Sequence, residues 1–138
     1  MDKAKKGSCL CGEITYQFTG PVKVFQYCHC SRCQKFTGSA HASNIIIDPE
    51  QFKWLTGENF VGRFEVADAK HFATQFCKKC GSSLPWITKS AKAVIVPAGT
   101  LDEDPQVKPI HNIYYADKAA WYEGSDCLTK YDALPIKS

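Results

Sequence analysis

Seven of the eight cysteines in this 138-residue chain fall into three tight groups. They are Cys9-Leu10-Cys11, Cys28-His29-Cys30-Ser31-Arg32-Cys33 and Cys77-Lys78-Lys79-Cys80, and Cys127 stands alone. A Cys-x-x-Cys turn presents two thiolates on one side of a short knuckle. Two such pairs from distant parts of a chain make a closed four-sulfur site around a tetrahedral metal. Cys77 and Cys80 form a pair of this kind, with Gly81 allowing the chain to turn back beneath the sulfurs. Cys9 and Cys11 lie two positions apart, so in an extended segment both point the same way and supply the other half.

That partition leaves Cys28, Cys30 and Cys33 on one loop. Three protein ligands with an empty fourth position is the arrangement of a catalytic rather than a structural zinc. Thiolates favour zinc over copper or iron, and an iron–sulfur cluster wants four cysteines at other spacings. The expected cofactor is therefore zinc, one ion structural and a second exchangeable or catalytic. Two alternatives stay open. All three groups could serve one site with the surplus as reduced thiols, or the trio could act as redox thiols or stand without a metal. No βαβ pattern surrounds Cys77 and Cys80, which argues against thioredoxin-like chemistry. Cys127 has no partner at ligand spacing and reads as a spare thiol.

Other side chains near the trio have both a functional and a plain reading. Arg32 and Lys35 could pair with a substrate carboxylate, against the plain reading of exposed charges on a short helix. His41 could line the same pocket or sit on a strand surface, and His29 is expected to point to solvent between two ligands. His71 and His111 read as surface positions, and Trp54, Trp86 and Trp121 with the eight Phe as mostly core, with room for one of these aromatics to wall the pocket.

The elements that must hold these groups are short and β-like. Glu13–Phe18 alternates, with Ile14, Tyr16 and Phe18 on one face. Further strands are expected at 22–27, 43–47, 52–55, 60–66, 71–76, 83–87 and 93–97, all rich in β-branched and aromatic residues. Ser31–Phe36 reads as a helical turn or two stopped at Gly38. Asp117–Trp121 reads as another with Asp117 as its N-cap, and 48–51 as a turn with a brief helical piece. The whole is predicted to be one mostly-β domain spanning residues 1–138.

Composition narrows the function classes. The net charge of +3 is mild and spread out, which gives no basic stripe for nucleic acid; Lys3, Lys5 and Lys6 read as a solvated tail. The longest aliphatic runs, Ile45-Ile46-Ile47 and Val94-Ile95-Val96, fall far short of the ~20 residues of a membrane span. The N-terminus has no apolar run of a secretory signal, so a reducing cytoplasmic setting is expected, where cysteine groups mean metal or redox chemistry. A small-molecule partner is expected, with no nucleic acid and no membrane; the oligomeric state is not encoded in any motif.

Gly7-Ser8-Cys9-Leu10-Cys11-Gly12-Glu13-Ile14-Thr15-Tyr16 resembles the opening of the glutathione-dependent formaldehyde-activating enzyme family. So do Tyr27-Cys28-His29-Cys30-Ser31-Arg32-Cys33-Gln34-Lys35, running into Thr37-Gly38-Ser39-Ala40, and Phe76-Cys77-Lys78-Lys79-Cys80-Gly81-Ser82-Ser83-Leu84. The later Ala98-Gly99-Thr100-Leu101-Asp102 completes the pattern. The resemblance implies an Mss4-like fold of small coiled β-sheets. It implies a structural zinc on Cys9, Cys11, Cys77 and Cys80 and a catalytic zinc on Cys28, Cys30 and Cys33. It also implies a carbon–sulfur lyase-type activity that joins a glutathione-like thiol to a small aldehyde such as formaldehyde. The same domain occurs in centromere protein V, where the role looks like chromosome or cytoskeleton binding. A zinc-stabilised binding module without turnover is therefore the alternative.

Overall fold

A computed structural model describes residues 3–124 and 128–135; Cys127 lies outside them. The chain opens with β1 (Lys5–Ser8), β2 (Thr15–Phe18) and β3 (Val24–Cys28), then α1 (Ser31–Thr37) and β4 (Ala42–Ile47). A short 3-10 turn at Pro49–Gln51 leads into β5 (Phe52–Thr56), and β6 (Val61–Glu65) and β7 (Ala73–Cys77) follow as a hairpin. The remaining strands are β8 (Ser83–Leu84), β9 (Trp86–Ile87), β10 (Val94–Pro97) and β11 (Asn112–Ile113). They form three sheets in the orders β1-β2-β5, β11-β3-β4-β10-β9 and β6-β7-β8, so the protein is mainly β, with one α-helix among the described residues.

Period-two alternation gives the central five-stranded sheet two unlike faces. Ile45 and Ile47 of β4, with Val94 and Val96 of β10, point one way and pack on Tyr16 and Phe18 of β2. Each of these side chains is nearly or fully buried, worth about 1.5–3 kcal/mol apiece. The intervening positions Gln26, Cys28, Asn44, Ile46 and Ile95 point the other way and line a cavity. Pro85 separates β8 from β9. Lacking an N–H, it cannot continue a ladder, and there the chain passes from the β7 sheet to the central one.

The structure departs from the sequence expectations in four places. The supposed basic tail is β1: Lys5 and Lys6 pair with Phe18 and Gln17, and Gly7 lies under the ring of Tyr16. No helix forms over Asp117–Trp121. A 3-10 turn occupies Tyr115–Asp117 instead, and Lys118 leaves helical geometry at ψ 149. Trp121 is 71% exposed rather than core. Between Cys9 and Cys11 the chain turns rather than extends, with the Gly12 amide bonding the Cys9 carbonyl at 3.0 Å.

Candidate metal centre

The turn after β1 brings the sulfurs of Cys9 and Cys11 to 3.6 Å, and Cys11 lies 3.9 Å from Cys77 at the end of β7. Past Cys77 the chain makes a tight knuckle. The amides of Lys79 and Cys80 donate to the Cys77 sulfur at 3.3 and 3.4 Å, and the Gly81 amide returns to the Cys77 carbonyl at 2.8 Å. Gly81 adopts φ +79, which a side-chain-bearing residue occupies only with strain. Lys79 reaches across to Glu13 at 2.7 Å, and the Ser82 hydroxyl accepts the Leu10 amide at 2.8 Å, so the two loops are tied independently of any ion. All four sulfurs lie within 4.8 Å of one another. The Ser82 hydroxyl, 3.1 Å away, and its amide hold Cys80 down to about 5, well inside the thiolate range at neutral pH.

The second group is built at the junction of β3 and α1. Cys28 ends the strand, Cys30 is the helix N-cap, with its sulfur accepting the Cys33 amide at 3.3 Å, and Cys33 sits in the first turn. Gly38, in left-handed geometry, ends the helix. The three sulfurs also lie within 4.8 Å of one another, with Cys28 and Cys33 buried. Hydrogen bonding from Cys28, then from Cys33, holds Cys30 down to about 2 despite burial. Hydrogen bonding with Cys28 and with Cys30, together with burial, holds Cys33 far above the ordinary thiol range. Such a trio parts with its first proton readily and resists losing its last, so full ionisation calls for a cation. Both cysteine groups therefore have the donors and the spacing to hold a metal ion.

A cavity of about 490 Å³ opens over the trio. Its inner wall is apolar, from Ile46, Phe72, Trp86 and Ile95. Two carboxamides, Gln26 and Asn44, are register partners on β3 and β4 and stand beside the sulfurs. Arg32, Lys70, His71 and Asp117 contribute at the rim. The loop bearing Lys70 and His71 is fixed by Lys89, whose ammonium donates to the Val66 and Ala69 carbonyls at 2.8 Å each.

Arg32 lies in the cavity wall, while Lys35 faces a neighbouring recess. His41 is on the opposite face of β3 and β4, stacked on Tyr27 with ring centroids 4.2 Å apart, and does not line the cavity. Burial lowers its pKa. His29, expected in solvent, is completely buried among Tyr115, Tyr122 and His41. Its Nε2 bonds Asn112 at 2.9 Å, its backbone amide bonds the Ile113 carbonyl at 3.0 Å, and its Nδ1 has no partner among the described residues. His71, expected as a plain surface residue, borders the cavity.

Sequence reasoning missed Gln26, Asn44 and Lys70 as cavity residues, while Trp86 is the one of the three tryptophans that walls the cavity. A signal existed for Gln26, which is two positions before Cys28 and therefore on the same face of β3. The parallel strand β11, which straps the reverse side of the Cys28–Cys30 loop, carries no such signal.

A small β protein with two cysteine groups able to hold metal, one complete and one open to a cavity, is the class that the fold and site define. The chain belongs to the glutathione-dependent formaldehyde-activating enzyme family, whose family model matches residues 4–117. No curated protein matches it. Among solved structures, the crystal structure of a Rhodobacter sphaeroides protein, a structural genomics target, is similar with a TM-score of 0.59. That likeness, at 18% identity over 78% of this chain and 98% of the other, concerns the fold alone. No helix among the described residues is long and apolar enough to cross a membrane.

Proposed function

We propose that this chain is a zinc-dependent carbon–sulfur lyase-type enzyme acting on a thiol, glutathione or a relative, and a small aldehyde. In this reading Cys9, Cys11, Cys77 and Cys80 hold a structural zinc in an Mss4-like fold, and Cys28, Cys30 and Cys33 hold an exchangeable, catalytic one. The observation that carries it is the contrast in completeness: four sulfurs close one group, whereas three sulfurs, with no fourth ligand among the described residues, face a cavity of about 490 Å³. Family membership supports thiol and aldehyde as the reactants.

Three thiolates leave a divalent zinc a weak Lewis acid, so what the ion supplies when bound is a lowered thiol pKa and a held thiolate rather than strong carbonyl activation. In the synthetic direction the sulfur lone pair forms the C–S bond. The carbonyl π pair moves to oxygen, and the proton lost by the thiol ends on that oxygen as an S-hydroxymethyl adduct. Cleavage is the reverse. The protein's side chains supply orientation and shelter. Gln26 and Asn44 offer N–H donors to the aldehyde oxygen, Arg32 and Lys35 offer cations to the thiol's carboxylate, and the Phe72–Trp86 wall keeps bulk water from the sulfurs.

The test is zinc content per chain in the wild type and Cys30→Ser, together with adduct exchange measured by NMR above the spontaneous rate. Two ions falling to one, with loss of catalysed exchange, is the expected result. One ion in both proteins removes the catalytic centre. Two ions falling to one without any catalysed exchange in the wild type supports the binding-module reading instead.

A further inference from the structure

A second recess of about 370 Å³ adjoins the sulfur-lined cavity and shares Ser31, Arg32 and Phe72 with it. One wall is a face of α1, where Arg32, Lys35 and Phe36 fall at helical i, i+3 and i+4 spacing. The opposing wall is the outer face of the β6–β7 hairpin. Phe64 and Thr74 are register partners there, and the Val66 amide bonds the Phe72 carbonyl at 3.2 Å. Arg63 and Glu65 alternate to the other side of β6 and pair with each other at 2.9 Å. Phe64 is thus left 60% exposed beside two cations.

Those cations are poorly matched within the chain. The Arg32 guanidinium comes no closer than 3.8 Å to Asp68, and Lys35 makes no ion pair among the described residues. An apolar floor under a cationic rim fits a ligand with an apolar body and an anionic end. The carboxylates of glutathione suit the rim, but its body is poorly matched to this floor, because its peptide groups would lose water against phenyl rings that offer no hydrogen bond.

We infer that this recess holds the far limb of the thiol substrate, an alkyl or aryl chain on Phe36, Phe64 and Phe72 ending in a carboxylate held by Arg32 and Lys35. The sulfur end passes beside Ser31 and Phe72 to the trio. The substrate class is a mercaptocarboxylate less polar than glutathione. This rests on the reading that a thiol docks at Cys28, Cys30 and Cys33, and continuity between the two recesses is what joins the sites.

The experiment titrates the cobalt-loaded protein with mercaptohexanoate, mercaptohexanol, mercaptoacetate and glutathione, following the thiolate-to-cobalt absorption band. Separately, thiol-free phenylbutyrate is added while the NMR signals of the Phe64 ring and the Arg32 side chain are recorded. Mercaptohexanoate is expected to bind about ten-fold tighter than either the alcohol lacking the charge or the acid lacking the chain, a factor typical of one charge-assisted contact or a few buried methylenes. Arg32→Gln with Lys35→Gln should erase the first advantage, and Phe64→Ser the second. Both changes are at exposed positions, so the fold and the band of the cobalt protein should persist. Equal affinity for all four thiols, with no phenylbutyrate shift at Phe64, overturns the inference and leaves thiol docking intact. A phenylbutyrate shift with no thiol altering the band overturns thiol docking and upholds the recess as a carboxylate site.

Discussion

The two cysteine groups differ in where their members come from. The complete group joins loops 66 positions apart and fastens the β1-β2-β5 sheet to the β6-β7-β8 sheet. The open trio comes from a single stretch, Cys28 to Cys33, whose backbone is already fixed by the end of β3, the start of α1 and the β11 strap. A ligand set that closes a long loop contributes to folding, because the unfolded chain has much freedom to lose. A local set contributes little to the fold and can exchange its metal or bind a substrate without unfolding the protein. In the proposed reading function is separable from stability, because the chemistry is assigned to the local set.

That comparison breaks most clearly if the two groups respond alike. Cys77→Ser is expected to cost on the order of 5 kcal/mol or more, enough to unfold a domain of ordinary stability, whereas Cys30→Ser should cost less than about 1 kcal/mol. Urea unfolding followed by circular dichroism, with metal content measured in parallel, compares them directly. Equal losses would mean that the trio also holds the fold. Gly7→Ala probes the first group from a distance, since a methyl there meets the ring of Tyr16. A loss of ~2–3 kcal/mol is expected, with the metal of the trio retained.

Asn112→Ala should do the converse. It removes the hydrogen bond to His29 Nε2 and costs about 1–2 kcal/mol, while weakening metal binding at the trio by about ten-fold or more and leaving the four-sulfur group unchanged. Competition with a metal-sensitive dye reads both affinities, and unchanged affinity at the trio would show that the strap does not hold its geometry. The smallest effect concerns Tyr16, whose phenol pKa is raised by burial and by nearby Asp102, though Thr100 hydrogen-bonds it. A raised folded-state pKa means the stability is fully present below the unfolded value of about 10 and is lost as pH rises through the folded value. The urea midpoint should therefore fall above about pH 10, and less so in Tyr16→Phe.

Much of this site was legible because cysteine spacing is a local code. A two-residue separation keeps sulfurs on one side whether the segment turns or extends, and a three-residue separation does so in a tight knuckle, which is why the grouping survives although Cys9–Cys11 turned out to be a turn. The strands with strong local signals, Thr15–Phe18 by its alternation and Val94–Pro97 by its β-branched run, were legible for the same reason. What escaped was set by distant partners. Lys5–Ser8 has no apolar pattern and becomes a strand through its ladder with β2 and the fit of Gly7 under Tyr16. Asp117 looked like a cap, but the segment instead lays Tyr115 and Tyr122 against His29 at 5.0 and 5.3 Å, which an extended helix there would prevent. His29 is covered by that segment together with His41, and the segment lies more than eighty positions away in sequence.

The two unlike faces of the central sheet have a consequence for how this scaffold can change. Gln26, Asn44, Ile46 and Ile95 alternate along their strands with Phe25, Ile45, Ile47, Val94 and Val96, so neighbours in sequence answer to different constraints. A variant library confined to the first set would remodel the cavity over the trio while the hydrophobic interior stayed as it is. Diversification of what that cavity admits can proceed at every second codon of these strands, with the codons between them held to their size and shape.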